Sequence, residues 1–143
     1  MMDNKYSLKI FLLDSDPFCL NIDKQQLANI GYRNVTQFTN ASDCLDRLVE
    51  KPDIIFLDYR MDTVTEPGIL KRIKKFNPDI YVIFTTAPED VEMVLNSLKY
   101  GAFDYAVKKD NGLERVGKIL STIYEIGELL KTAQPSLIKR FPG

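Results

Sequence analysis

Residues 53–58 read Asp-Ile-Ile-Phe-Leu-Asp, and the apolar run 54–57 ends abruptly on the carboxylate of Asp58. A short, continuous apolar run bounded by polar residues fits a strand buried on both faces, as in a parallel sheet covered by helices. In such sheets the carboxyl ends of the strands form the ligand crevice. Asp58 is therefore either a site residue or an ordinary cap at the start of a loop, and position alone leaves both readings open.

The chain on either side supplies the other layers. Residues 7–13 are strand-like, and Asp14-Ser15-Asp16-Pro17 breaks them with a helix start, Asp16 as N-cap and Pro17 at the first helical position. That helix is expected to reach about Ile30, with Phe18, Ile22, Leu27 and Ile30 inward and Gly31 ending it. Residues 33–38 predict a second strand. A helix capped by Asn40 or Ser42 follows, with Leu45, Leu48 and Val49 inward, and Pro52 stops it. Beyond Asp58, residues 59–66 have no period and are expected to be a surface loop. Pro67-Gly68 leads into a helix with Ile69, Leu70, Ile73 and Phe76 inward and Lys71, Arg72, Lys74 and Lys75 on a solvated face.

Residues 79–86 predict a fourth strand, followed by a helix opened by Pro88-Glu89-Asp90, with Val91, Val94, Leu95 and Leu98 inward and Gly101 at its end. Residues 103–107 make a short fifth strand that runs into Lys108-Lys109. The last helix is expected from Asp110 or Asn111 to about Lys131, with Leu113, Val116, Ile119, Leu120, Ile123, Ile126 and Leu130 along its inner stripe. Residues 132–143 carry two prolines without period and read as a tail or the beginning of a linker. Five strands alternating with five helices imply a doubly wound α/β sandwich, a five-stranded parallel sheet with helices on both faces.

Composition narrows the function. A chain of 143 residues suits one domain. With 19 Lys plus Arg against 20 Asp plus Glu, there is no basic excess to hold nucleic acid. No apolar run approaches the roughly 20 residues that span a membrane, and residues 1–5 do not resemble a signal peptide. A cytoplasmic location is the expectation. The two cysteines, Cys19 and Cys44, lack zinc-site spacing and read as small buried hydrophobes rather than a disulfide. There is no histidine, which removes the commonest general base and any phosphohistidine-carrier role.

The residues at the strands' carboxyl ends are Asp14, Asp58, Thr86 and Lys108, and a parallel sheet brings them to one edge. Two carboxylates, a hydroxyl and an ammonium suit the holding of a phosphoryl group on a carboxylate. The acids can coordinate Mg²⁺, Lys108 can offset phosphoryl charge, and Thr86 can donate a hydrogen bond to it. Four motifs carry a family resemblance: Leu13-Asp14-Ser15-Asp16-Pro17, PDIIFLDYRM around Asp58, Phe84-Thr85-Thr86-Ala87, and KYGAFDYAVKK containing Lys108.

In this order and spacing they make residues 6–131 resemble the receiver domain of two-component response regulators, CheY-like proteins. The resemblance implies a flavodoxin-like (βα)5 fold and a signalling switch rather than a turnover enzyme. A sensor histidine kinase or phosphotransfer protein would donate a phosphoryl group to Asp58. It further implies Mg²⁺ held by Asp14, Asp58 and the main-chain carbonyl of Arg60, phosphoryl contacts from Thr86 and Lys108, and Tyr105 as the aromatic that reorients on activation. A homodimer through the fourth helix, fifth strand and fifth helix is a further arrangement that it allows.

Three departures stand out. Ser15 replaces the second of two adjacent acids that usually bind the metal directly, which weakens the charge available to a hard cation. Ser15 itself or Asp16 is the remaining candidate ligand there, although Asp16 also suits a capping role. Lys109 replaces the proline that usually follows the family lysine. Asp62 stands where the family usually has proline, in a loop about two residues longer before Gly68. Ser15 also supports a second reading, a pseudo-receiver that binds a partner without phosphorylation. A third, remote reading takes Asp14-Ser15-Asp16 as the opening of an aspartate-nucleophile phosphatase of the haloacid-dehalogenase type, against which Phe18 replaces the usual threonine or valine and Asp58 has no role.

Overall fold

The computed structural model of the chain describes residues 4–65, 68–108 and 112–140, with side chains placed through residue 132. Five parallel strands, β1 (Ile10–Leu13), β2 (Val35–Phe38), β3 (Ile54–Asp58), β4 (Tyr81–Thr86) and β5 (Asp104–Val107), form one sheet in the order β2-β1-β3-β4-β5. Leu13 pairs with Phe38 on one side and Leu57 on the other, Leu57 pairs with Phe84, and Phe84 with Tyr105. This register brings the strands' carboxyl ends to one edge. The sheet is the parallel one expected from the alternation of elements, in the flavodoxin-like order that the family resemblance implies.

Among the described residues six α-helices accompany it: α1 (Pro17–Asn29), α2 (Ala41–Asp46), α3 (Tyr59–Val64), α4 (Ile69–Phe76), α5 (Val91–Ser97) and α6 (Gly112–Arg140). Because successive strand residues point to opposite faces, the apolar runs feed two cores. Phe11, Leu13, Ile55, Leu57, Val82 and Phe84 pack with Cys44, Ile69, Ile73 and Val94 from α2, α4 and α5. Ile10, Leu12, Ile54, Phe56 and Ile83 pack with Leu20 and Leu27 from α1 and Ile119, Leu120 and Ile123 from α6. Every residue of β1 and β3 is buried, as an interior parallel strand requires.

Local signals set most boundaries. The Asp16 carboxylate accepts the Phe18 N–H at 2.9 Å with Pro17 in the first turn, and Asn40 accepts the Asp43 N–H at 2.9 Å. Gly31 and Gly101 take φ values of 105° and 122°, backbone that favours glycine. Cys44 is fully buried and Cys19 partly so, and both thiols are free.

Three expectations need correction. The aperiodic segment after Asp58 is not a loop: residues 59–64 form α3, which buries only Tyr59 and so shows no apolar period. The last helix continues past Lys131 to Arg140, so the residues expected to open a tail are helical. Finally, Phe18, Ile22, Val49, Phe76, Leu95 and Leu130, assigned to inward stripes, are exposed. On α1 the inward residues are Leu20 and Leu27. Pro67, Lys109 and the expected helix start at Asp110 or Asn111 lie outside the described residues.

Asp62 has a structural task that its sequence position did not announce. Its Oδ1 accepts the Leu70 N–H at 2.8 Å, capping α4, whose own N-cap residue is Gly68 and offers no side chain. Asp62→Ala should cost about 1 kcal/mol, the usual value of a lost cap. Equilibrium urea unfolding measures this, and an unchanged midpoint would show that water replaces the cap.

Candidate functional site

β1 and β3 are neighbours, so Asp14, the residue after β1, and Asp58, the last of β3, stand side by side. Both are buried. Lys108 follows β5, where its N–H donates to the Thr86 carbonyl at 2.8 Å. Its long stem then crosses the end of the sheet and sets the ammonium 2.7 Å from Asp14 Oδ2 and 3.5 Å from Asp58 Oδ1. Asp14 Oδ1 accepts the Asp16 N–H at 3.0 Å, so both Asp14 oxygens are engaged.

Asp58 is held differently. Its Oδ1 accepts the Arg60 N–H at 3.3 Å and so caps α3, while Oδ2 accepts no hydrogen bond among the described residues. Neither reading of the residue as cap or as site residue excludes the other, since one oxygen caps while the second is open. Burial pushes its pKa up and Asp14 adds to this, with Lys108 opposing. Burial also works against the Lys108 ammonium, but the hydrogen bond to Asp14 and the two carboxylate charges outweigh it and raise its pKa.

The other sequence candidates lie around this trio. Thr86 is buried at the end of β4 with its hydroxyl donating to the Ala87 carbonyl at 3.0 Å. The Arg60 carbonyl accepts the Thr63 hydroxyl at 2.9 Å. Ser15 is exposed. Asp16 is spent on capping α1 and on the Cys19 thiol, 3.3 Å away, and these bonds lower its pKa, that to Cys19 first. Tyr105 is half-buried on β5, against the core shared with α4 and α5.

Family comparison agrees with this geometry. Residues 10–120 match the family described as response regulator receiver domain. The chain belongs to the response-regulator receiver family. Among relatives, the receiver is 33% identical over 130 residues to the transcriptional regulatory protein ZraR of Salmonella typhimurium, covering 88% of this chain and 29% of that protein. It is 32% identical over 100 residues to the DNA-binding transcriptional regulator NtrC of Escherichia coli, covering 69% of this chain and 21% of the relative. The receiver thus spans less than a third of the length of these regulators.

It covers most of a smaller relative, the chemotaxis protein CheY of Thermotoga maritima, at 28% identity over 101 residues, with 70% of this chain and 84% of the relative aligned. Among solved structures, a response regulator receiver domain protein from Clostridium thermocellum superposes with a TM-score of 0.75 at 25% identity, covering 86% of this receiver and 98% of that chain.

Receivers of this family typically bind Mg²⁺, and the donors here fit such an ion, though sparsely. Mg²⁺ commonly keeps several waters and uses one or two carboxylates together with phosphate oxygens. Asp14, Asp58 and the Arg60 carbonyl offer hard oxygens of that kind. Among the described residues no group of three or more Asp, Glu, His or Cys side chains is placed to hold a metal, in keeping with serine at position 15. No helix among the described residues is long and apolar enough to cross a membrane.

Two side chains near the site were missed in the sequence. The Arg60 guanidinium bonds Asp90 at 2.7 Å and approaches Glu89 at 3.6 Å, tying α3 to the turn after β4 across the mouth of the site. Arg115, on α6, lies 4.3 Å from the centre of the Tyr105 ring, donates to the Tyr105 carbonyl at 2.8 Å and pairs with Asp104 at 2.6 Å. Arg60 reaches 30 residues along the chain and Arg115 back across the turn between β5 and α6, and nothing in their own segments signals a partner.

Proposed function

We propose that the receiver accepts a phosphoryl group on Asp58 from the phosphohistidine of a sensor kinase or phosphotransfer protein, and that this switches a protein-interaction surface. The observation that carries the reading is the Lys108 ammonium lying between Asp14 and Asp58 while Asp58 Oδ2 is left open. Asp58 Oδ2 attacks phosphorus and a P–O bond forms as the P–N bond to the donor ring breaks; that ring, already protonated on its other nitrogen, leaves as neutral imidazole. Mg²⁺, when bound through Asp14, Asp58 and the Arg60 carbonyl, supplies positive charge to the phosphoryl oxygens.

Lys108 keeps its bond to Asp14 and meets the charge developing on the transferring group. Thr86 exchanges its bond to Ala87 for one to a phosphoryl oxygen. Its movement vacates space toward Tyr105, and the ring turns against the hold of Arg115, changing the face formed by α5, β5 and α6. That face is also where a homodimer would form. A cytoplasmic location accords with this role.

Acetyl phosphate with Mg²⁺, followed by borohydride trapping and mass spectrometry, tests the reading. The adduct is expected on Asp58 and absent from Asp58→Asn. A second reading, the pseudo-receiver, is favoured by Ser15 alone. It expects no adduct at millimolar Mg²⁺ and partner binding unchanged in Asp58→Asn. An adduct on Asp14 would instead indicate the aspartate-nucleophile phosphatase, which the engagement of both Asp14 oxygens disfavours.

A further inference from the structure

Behind Lys108, on the face of the sheet covered by α1 and α6, lies a cavity of about 280 Å³. Its walls are mostly apolar, with Ile22 from α1, Phe56 from β3, and Leu113 and Val116 from α6. Asp23 is the one acid in a lining whose other polar members are Gln26, Thr85 and Lys108. It stands three residues after Leu20 and four before Leu27, on the inward side of α1, and lines the cavity. Its carboxylate makes no hydrogen bond or ion pair among the described residues. Burial, and then the charge of Asp14, push its pKa up to about 6. Lys108 touches the same cavity, but its ammonium is committed to Asp14 and Asp58.

Asp23 is half-buried, and a partly desolvated carboxylate without a partner favours an added cation. The uncommitted charge facing the cavity is thus negative, and the rest of the lining is mostly apolar, with Gln26 and Thr85 as neutral polar groups. We propose that this cavity binds a small amphipathic cation, its apolar ring or short alkyl body among Ile22, Leu113 and Val116 and its ammonium or amidinium group paired with Asp23. The volume is at the small end for ligand pockets, which run roughly 300–1,000 Å³, so a body of about one ring is the fitting size. The proposal is independent of phosphorylation at Asp58.

Phenethylammonium is a suitable probe and phenethyl alcohol its neutral counterpart. In an NMR titration of the whole chain at neutral pH, phenethylammonium is expected to give saturable shifts at Ile22, Leu113 and Val116, with Kd on the order of 1 mM. The alcohol should bind about tenfold more weakly. Asp23→Asn should bring the ammonium down to the level of the alcohol, and Val116→Phe, which fills the cavity, should abolish both.

Absence of saturable shifts up to roughly 10 mM, equal binding of the two probes, or shifts indifferent to both variants would each overturn the proposal. Should Asp23→Asn not fold, the comparison of the two probes and the Val116→Phe variant decide the matter.

Discussion

Lys108→Met should destabilise the receiver by about 2–4 kcal/mol at neutral pH without divalent cations, one of the largest losses open to a single substitution at the site. The ammonium sits between two carboxylates whose side chains are only 6% and 13% exposed. Without it they face one another as uncompensated buried charges. Breaking a buried pair costs roughly 3–5 kcal/mol, and the lower figure used here allows for the 29% exposure of the lysine side chain.

The pH dependence has a definite sign. Burial and the charge of Asp14 already push the Asp58 pKa up, and without Lys108 to oppose them it stands further above that of the unfolded chain. The variant is then relatively spared at low pH, where Asp58 is protonated in either state, and the deficit grows as pH rises through its native pKa. Urea unfolding in EDTA at acid and neutral pH measures this. Equal deficits at both would show that packing of the lysine stem, and not charge, is what is lost. Mg²⁺ should bind the variant more tightly than the wild type, because the ammonium no longer competes for the same oxygens.

Phe84→Ala should cost about 3–5 kcal/mol, the usual range for a fully buried phenylalanine. Phe84 is completely buried on β4, and its ring meets that of Tyr59 edge to face, with centroids 5.3 Å apart. Typical domains have only 5–15 kcal/mol in hand, so the loss is a large fraction of the whole. Tyr59 immediately follows Asp58 and is the one buried residue of α3. The cavity therefore removes the packing that seats the helix next to the phosphoacceptor candidate. Thermal and urea unfolding should show the loss together with weakened Asp58 phosphorylation in the folded fraction. A cost below about 1 kcal/mol would mean that Tyr59 collapses into the space.

The sheet was legible because its strands are continuous apolar runs, a pattern that survives without any neighbour being known. Asp14, Asp58, Thr86 and Lys108 were legible for the same reason: once the strand ends are known, a parallel sheet gathers them. Other features were hidden by their physics. α3 turns one side chain inward, too few for a period. On α1, Leu27 and Ile30 do face the core, but Asp23 interrupts the inward stripe and the apolar residues of the first turns, Phe18 and Ile22, are exposed while Leu20 takes the inward place. Phe18 is 70% exposed. Asp62 looked like a departure in a loop, yet it supplies the carboxylate that Gly68 cannot. Arg60 and Arg115 find their partners only through the fold.

The strand order gives the two halves of the site different mechanical lives. β3 is bonded on both sides, to β1 and to β4, and carries Asp58 on its last position. Among the described residues β5 is an edge strand, bonded to β4 alone, and Lys108 follows its end. Backbone hydrogen bonds at the edge of a sheet open at lower free energy than those in its middle. Amide hydrogen exchange should therefore be slow through residues 54–57 and faster through 104–107. The acid stands on the most firmly bonded part of the sheet, while its countercharge follows the strand whose backbone opens at lower cost.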